Sequence, residues 1–136
     1  MATEETFVFD RTFSAATDLS SYQFYIVSSS AAGVVSLCTS STGDAVTRAI
    51  GVLQNNPTAG NAANVRLLGV SKCYASSSGA VTISARVSAS TGGGAQVAST
   101  GSWCIGHALS ASTGGAGSLI EVLLTGPFTY IAGATA

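Results

Sequence analysis

His107 is the single histidine in 136 residues, so any imidazole acid, base or catalytic triad would have to pass through it. It alternates with Ile105 and Leu109, which sets its ring on an apolar strand face. That is the setting of a packing or subunit-interface histidine rather than of a catalytic base. No serine stands in a G-x-S-x-G elbow; in Gly101-Ser102-Trp103-Cys104-Ile105-Gly106 the serine is misplaced for one. Cys38, Cys73 and Cys104 are odd in number and widely spaced, with no C-x-x-C, so they read as small buried apolar residues rather than as a disulfide frame or zinc site. Asp10, Asp18, Asp44 and Glu121 are isolated along the chain, and no EF-hand loop or glycosidase-like pair is visible. The glycine-rich strings 91–95 and 113–118 do not continue into the Gly-Lys-Ser/Thr that would hold a phosphate. The expectation is therefore no enzyme, no metal and no cofactor.

Of the residues 46% are hydrophobic and only 8% are charged, against roughly a quarter charged in ordinary soluble domains. A chain of this length removes roughly two-thirds of its unfolded surface from water, which is enough for one core without a metal or disulfide. Five basic residues against six acidic ones give a net charge of -1, and Arg11, Arg48, Arg66, Lys72 and Arg86 are scattered. A nucleic-acid partner, which needs clustered cations, is excluded on that ground. The apolar stretches are short and broken by Gly, Ser and Thr, far from the roughly 20 residues that span a bilayer, so no membrane partner is expected.

Period-two alternation recurs between turn-forming clusters. It predicts strands at 7–13, 22–27, 34–38, 46–53, 65–74, 81–87, 103–109 and 119–124, with a last one at 128–131. Phe7, Phe9 and Phe13 are expected on one side of the first; Tyr22, Phe24 and Ile26 alternate in the second. Asp18 could cap a single helical turn. The fold class read from this pattern is all-β: a single compact β-barrel or jelly-roll-like sandwich of short antiparallel strands with an extended N-terminal arm. The arm is residues 1–13 and the domain 14–136.

An internal repeat runs through the pattern. Val35-Ser36, Ile50-Gly51, Val65-Arg66-Leu67-Leu68 and Gly69 recur in order as Val87-Ser88, Ile105-Gly106, Glu121-Val122-Leu123-Leu124 and Gly126. Two related β-motifs packed face to face would each cover the other's apolar side. Gly51 and Gly106, inside strand patterns, mark a bulge or a close backbone approach.

Six segments between Leu19 and Leu124 carry a resemblance: the Gly-Val-Val turn at Gly33–Val35, Ala49-Ile50-Gly51-Val52-Leu53, the Pro-x-x-Gly loop at Pro57–Gly60, Val65-Arg66-Leu67-Leu68-Gly69-Val70, Ile105-Gly106-His107-Ala108-Leu109 and Ile120-Glu121-Val122-Leu123-Leu124. In this order they resemble the small capsid decoration, or cement, proteins of tailed bacteriophages. The resemblance implies a non-enzymatic barrel-like protein on the outer surface of an assembled shell, often a homotrimer, whose partners are the major capsid protein and itself. Where such proteins commonly carry charged turns and acidic loops, this chain has Ser, Thr and Gly, so docking through charge is not implied. The opening residues Met1 to Thr6 lack the basic and apolar regions of a secretory signal, which fits synthesis in the bacterial host cytoplasm.

Two contact regions follow. The arm residues Phe7, Phe9, Arg11 and Phe13 could add a strand to a neighbour or lie across the shell; so could Phe128, Tyr130 and Ile131 in the tail. Each segment could equally complete the domain's own barrel. His107 is a candidate for the subunit interface, and Trp103 for a core anchor. The competing class is a carbohydrate-binding or adhesion module of a fibre or surface layer, because Ser/Thr/Gly-rich β domains with exposed aromatics also suit sugar contacts.

Overall fold

The computed structural model describes residues 8–41, 48–76, 80–99, 101–112 and 118–129. Three expected contact residues, Phe7, Tyr130 and Ile131, lie outside them. The described residues form strands and no helix: β1 (Phe9–Ala15), β2 (Ile26–Ala31), β3 (Val34–Leu37), β4 (Ala49–Leu53), β5 (Ala62–Tyr74), β6 (Arg86–Ala89), β7 (Ala95–Val97), β8 (Trp103–Ala108) and β9 (Leu119–Thr129). The all-β barrel architecture is as expected, and it is built twice. In the order β1-β3-β2-β4-β5, with β5 returning to β1, five strands close a first barrel. β5 then runs on: its second half pairs with β9, followed by β8, β6 and β7, and Ala95 of β7 bridges back to Ala75 just beyond β5. Apart from β1–β3 and that last bridge, both parallel, the pairings are antiparallel.

The two rings share most of their pairings. Ala15↔Val35 recurs as Ala75↔Ala95, and Val27↔Leu37 as Val87↔Val97, each partner sixty positions further on. Val27↔Gly51 and the bulge after it recur as Val87↔Gly106. Val52↔Arg66 recurs as His107↔Leu123, and Asp10↔Arg66 as Val70↔Leu123. Even backbone outliers are shared: Phe24 and Ser84, the non-glycine residues with positive φ among the described residues, sit at 68° and 69° at equivalent stations. The repeat seen in the sequence is therefore real, with two corrections. Glu121-Val122-Leu123-Leu124 answers to Asn64-Val65-Arg66-Leu67, one residue earlier than Val65-Arg66-Leu67-Leu68. The counterpart of Val87-Ser88 is Val27-Ser28, not Val35-Ser36, because both valines line a barrel and pair with the glycine strand. The halves do not simply face each other either; they share β5.

Glycine at 51 and 106 is dictated by close approach. A Cβ at Gly51 would collide with the carbonyl oxygen of Arg66, and one at Gly106 with that of Leu123. Each glycine thus lets the following strand cross tightly at the bulge.

The first barrel is lined by Phe13, Ala15, Leu19, Val27, Val35, Leu53, Ala63 and Val65. The second lining, which includes Cys73, Val87, Ala108, Ile120 and Val122, merges with Ile26, Cys38 and Val52 from the first barrel's surface into one cluster. Full burial of Ile26 and Val52 is worth about 1.5–3 kcal/mol each, so this junction is a substantial part of the core. Ile26 also donates its N–H to Gly93 O at 2.9 Å, and Trp103 N–H to Ser41 O at 2.7 Å.

Three local expectations are revised. The strands expected at 22–27 and 81–87 begin later, at Ile26 and Arg86, because Phe24 and Ser84 turn the chain first. Phe9 and Phe13 do not share a side: the register shifts between Phe9 and Asp10, leaving Phe9 exposed and Phe13 buried. Asp18 caps no helix; its carboxylate accepts the Ser20 N–H at 3.0 Å, and that residue's hydrogen bonds lower its pKa.

Candidate functional site

The segment read as an arm pairs with β5 from Phe9↔Leu68 to Ser14↔Ala62, so the boundary drawn at residue 14 falls inside β1. Phe9 is 54% exposed and lies beside exposed Val8 and Leu68, giving an apolar strip on the first barrel. Arg11 is exposed and its guanidinium lies 5.1 Å from the centre of the Phe13 ring, whose other surroundings are core.

At the other end of the molecule the structure brings together two residues that the sequence reading placed in separate regions. Phe128 pairs through β9 with Cys104 of β8, and its half-buried ring stacks on His107 with centroids 5.7 Å apart and planes 21° apart. His107 stands opposite Arg86 on one side and Leu123 on the other. Its neighbours are thus aromatic, aliphatic and cationic, a contact surface rather than a proton relay. Trp103, expected as a core anchor, is half-buried and carries the Arg48 guanidinium 3.7 Å over its ring.

A cleft of about 580 Å³ opens along the seam of the barrels, lined by Phe24, Gln54, Arg66, Val70, Ser71, Lys72 and Glu121. Sequence reasoning missed it, since its residues come from strands far apart in the chain and meet only through the shared β5. Its polar groups are largely spent on the protein. Arg66 grips Asp10 through Nε and one terminal nitrogen, at 2.9 and 3.2 Å, and donates the other to Val70 O at 3.0 Å. Gln54 donates to Ser71 Oγ at 2.8 Å and to Val52 O at 3.0 Å. Lys72 stands across from Glu121, with its ammonium 6.0 Å from the Phe24 ring centre. The cleft joins two barrels, and the Ser71 hydroxyl in it donates to Lys72 O at 2.8 Å.

All three cysteines are buried, as expected from their spacing. Burial pushes the Cys73 thiol up to about 12 and raises Cys38 and Cys104 as well. At neutral pH these are protonated packing groups, not thiolate nucleophiles. Among the described residues, no three His, Cys, Asp or Glu side chains are grouped so as to hold a metal ion.

No protein-family model and no curated protein matches the chain. Among solved structures it is similar to the head fiber gp8.5 N base of bacteriophage phi29, with a TM-score of 0.57 and 12% identity. The match covers 91% of this chain and 100% of that one. At that identity the likeness is one of fold.

Proposed function

We propose that the chain is a structural virion protein that sits on the outer surface of an assembled phage capsid, binds the major capsid protein and stabilises the shell by bridging capsomers as a homotrimer. The observation that carries this reading is the similarity of nearly the whole chain to the base of a phage head fiber. The residue-level picture agrees with it. The protein offers barrels with exposed apolar contacts such as Phe9 and Leu68, its three cysteines are buried and His107 is stacked on Phe128. A protein that binds only the assembled shell stabilises it by mass action, and three linked contacts bind more tightly than one.

The test mixes purified protein with heads of its own phage that lack it, followed by co-sedimentation, imaging of the shell and heating. Saturable outward density, absent with unassembled capsid protein, and a higher temperature of head disruption are expected. With only 8% charged residues, binding should weaken little from low to high salt. Heads that bind none of the protein would overturn the reading.

A further inference from the structure

The junction between the barrels has two sides, and each side exists a second time with its residues less buried. The trailing side, on the first barrel, is Ile26, Leu37, Cys38 and Val52; three of these four are fully buried. Their counterparts on the second barrel are Arg86, Val97, Ala98 and His107, of which Arg86 and Val97 are exposed and the other two half-buried. The leading side, on the second barrel, is Ala89, Gly93, Ile105 and Leu124, all buried. Its counterparts on the first barrel are Ser29, Gly33, Ile50 and Leu67: Gly33 is exposed and the rest half-buried.

We propose that the trailing surface of the second barrel docks the leading surface of the first barrel of another copy, continuing between chains the junction that β5 makes within one. The occupant follows from continuity: the junction already shows that these two surface types fit, and one copy carries the open half of each. Within the chain, Leu37 packs where a Cβ on Gly93 would stand. Between chains, Val97, 46% exposed, meets Gly33, around which nothing lies within 4 Å of the Cβ position. Replacing Ile26 and Val52 by Arg86 and His107 makes the trailing surface of the second barrel more polar, as suits a face that is wet until it assembles. Phe128 covers part of it by stacking on His107. Such a contact is heterologous, so it forms open chains or closes into a ring when the rotation permits. Closure after three copies gives the homotrimer, but the inference rests on the duplicated fold and not on capsid binding.

The experiment uses the full chain and two variants in sedimentation velocity. Val97→Glu spoils the trailing surface, and Gly33→Asn the leading one; asparagine tolerates the positive φ of 70° at that turn. Each variant alone should self-associate at least tenfold more weakly than the parent while keeping its melting temperature within a few degrees. Mixing the two should restore a heterodimer and nothing larger, because the mixture holds one intact pair of surfaces. A parent chain that stays monomeric at high concentration, variants that assemble like the parent, or a mixture without the heterodimer would each overturn the proposal. Head binding is scored separately, so failure to bind heads by a chain that assembles this way counts against the virion role alone.

Discussion

In the first barrel Phe13 faces Ala63 across the β1–β5 pair; in the second, Cys73 faces Ile120 at the same station. Leu53 in the first likewise becomes Ala108 in the second. Large and small exchange sides between the rings, yet strand order and the bulge that follows Val27 and Val87 are the same. The interior is specified by what a group of neighbours fills together, whereas topology is held by backbone-determined positions that do not exchange. The glycines at 51 and 106 and the turns at Phe24 and Ser84 are such positions.

If backbone approach is what the rings share, the largest losses should come from those glycines. Gly106→Ala should cost about 3 kcal/mol or more and Gly51→Ala somewhat less, read by denaturant unfolding. At Gly106 the added methyl meets backbone atoms of both Leu123 and Leu124, which cannot swing away. Equal tolerance of alanine at both sites would break the argument.

Next in size is an alkaline effect that is largest at Cys73 of the second barrel. The Cys73 thiol is raised in the folded state from its ordinary 9.0 to about 12, so the native protein holds a proton that the unfolded chain releases. Its contribution to stability is complete below pH 9 and is lost as pH climbs from about 9 toward about 12. The slope is on the order of 1 kcal/mol per pH unit, with Cys38 and Cys104 acting in the same direction. Phe13, the counterpart of Cys73, does not titrate, so Cys73→Ala should flatten much of the alkaline decline in a series of melts across that window. An unchanged decline would place the sensitivity elsewhere.

The smallest expected effect sharpens the comparison at one ion pair. Asp10 and Arg66 occupy the station held by Val70 and Leu123 in the second barrel. Arg66→Leu alone should cost about 1 kcal/mol, by leaving Asp10 half-buried without its partner. Adding Asp10→Val should recover most of that loss, since the second ring already works with an apolar pair there. A double variant less stable than the single one would mean that the ion pair orients the seam rather than merely filling it.

Much of the architecture could be read before folding was known. Sequence pattern located β3, β4, most of β5 and β8: part of β5 alternates buried with open positions, whereas β4 and β8 were marked by β-branched and apolar runs that are buried at nearly every residue. Ile50-Gly51 and Ile105-Gly106 were legible as a repeat because collision forbids any other residue at the glycine. Val27 was passed over in favour of Val35 because a lining position demands only a branched apolar residue, and the chain has many. β2 and β6 were misplaced for a common reason. Tyr22, Phe24 and Ile26 alternate like a strand, but Tyr25 N–H bonds to Tyr22 O, and Ala85 N–H to Thr82 O, closing turns that side-chain pattern does not encode. β7, with three residues, was too short to show a period. The open surfaces were legible only in part: His107 stood out as the single histidine, but its meeting with Phe128 and the complementary role of Gly33 depend on the duplicated topology.

β5 is one unbroken strand of 13 residues that serves as a stave in both rings. Tension applied to either barrel therefore travels along a hydrogen-bonded backbone loaded in shear, with no flexible tether between the rings to absorb it. The protein should respond to stretching as a single stiff strut, and a protease should find no soft point at which to part the halves.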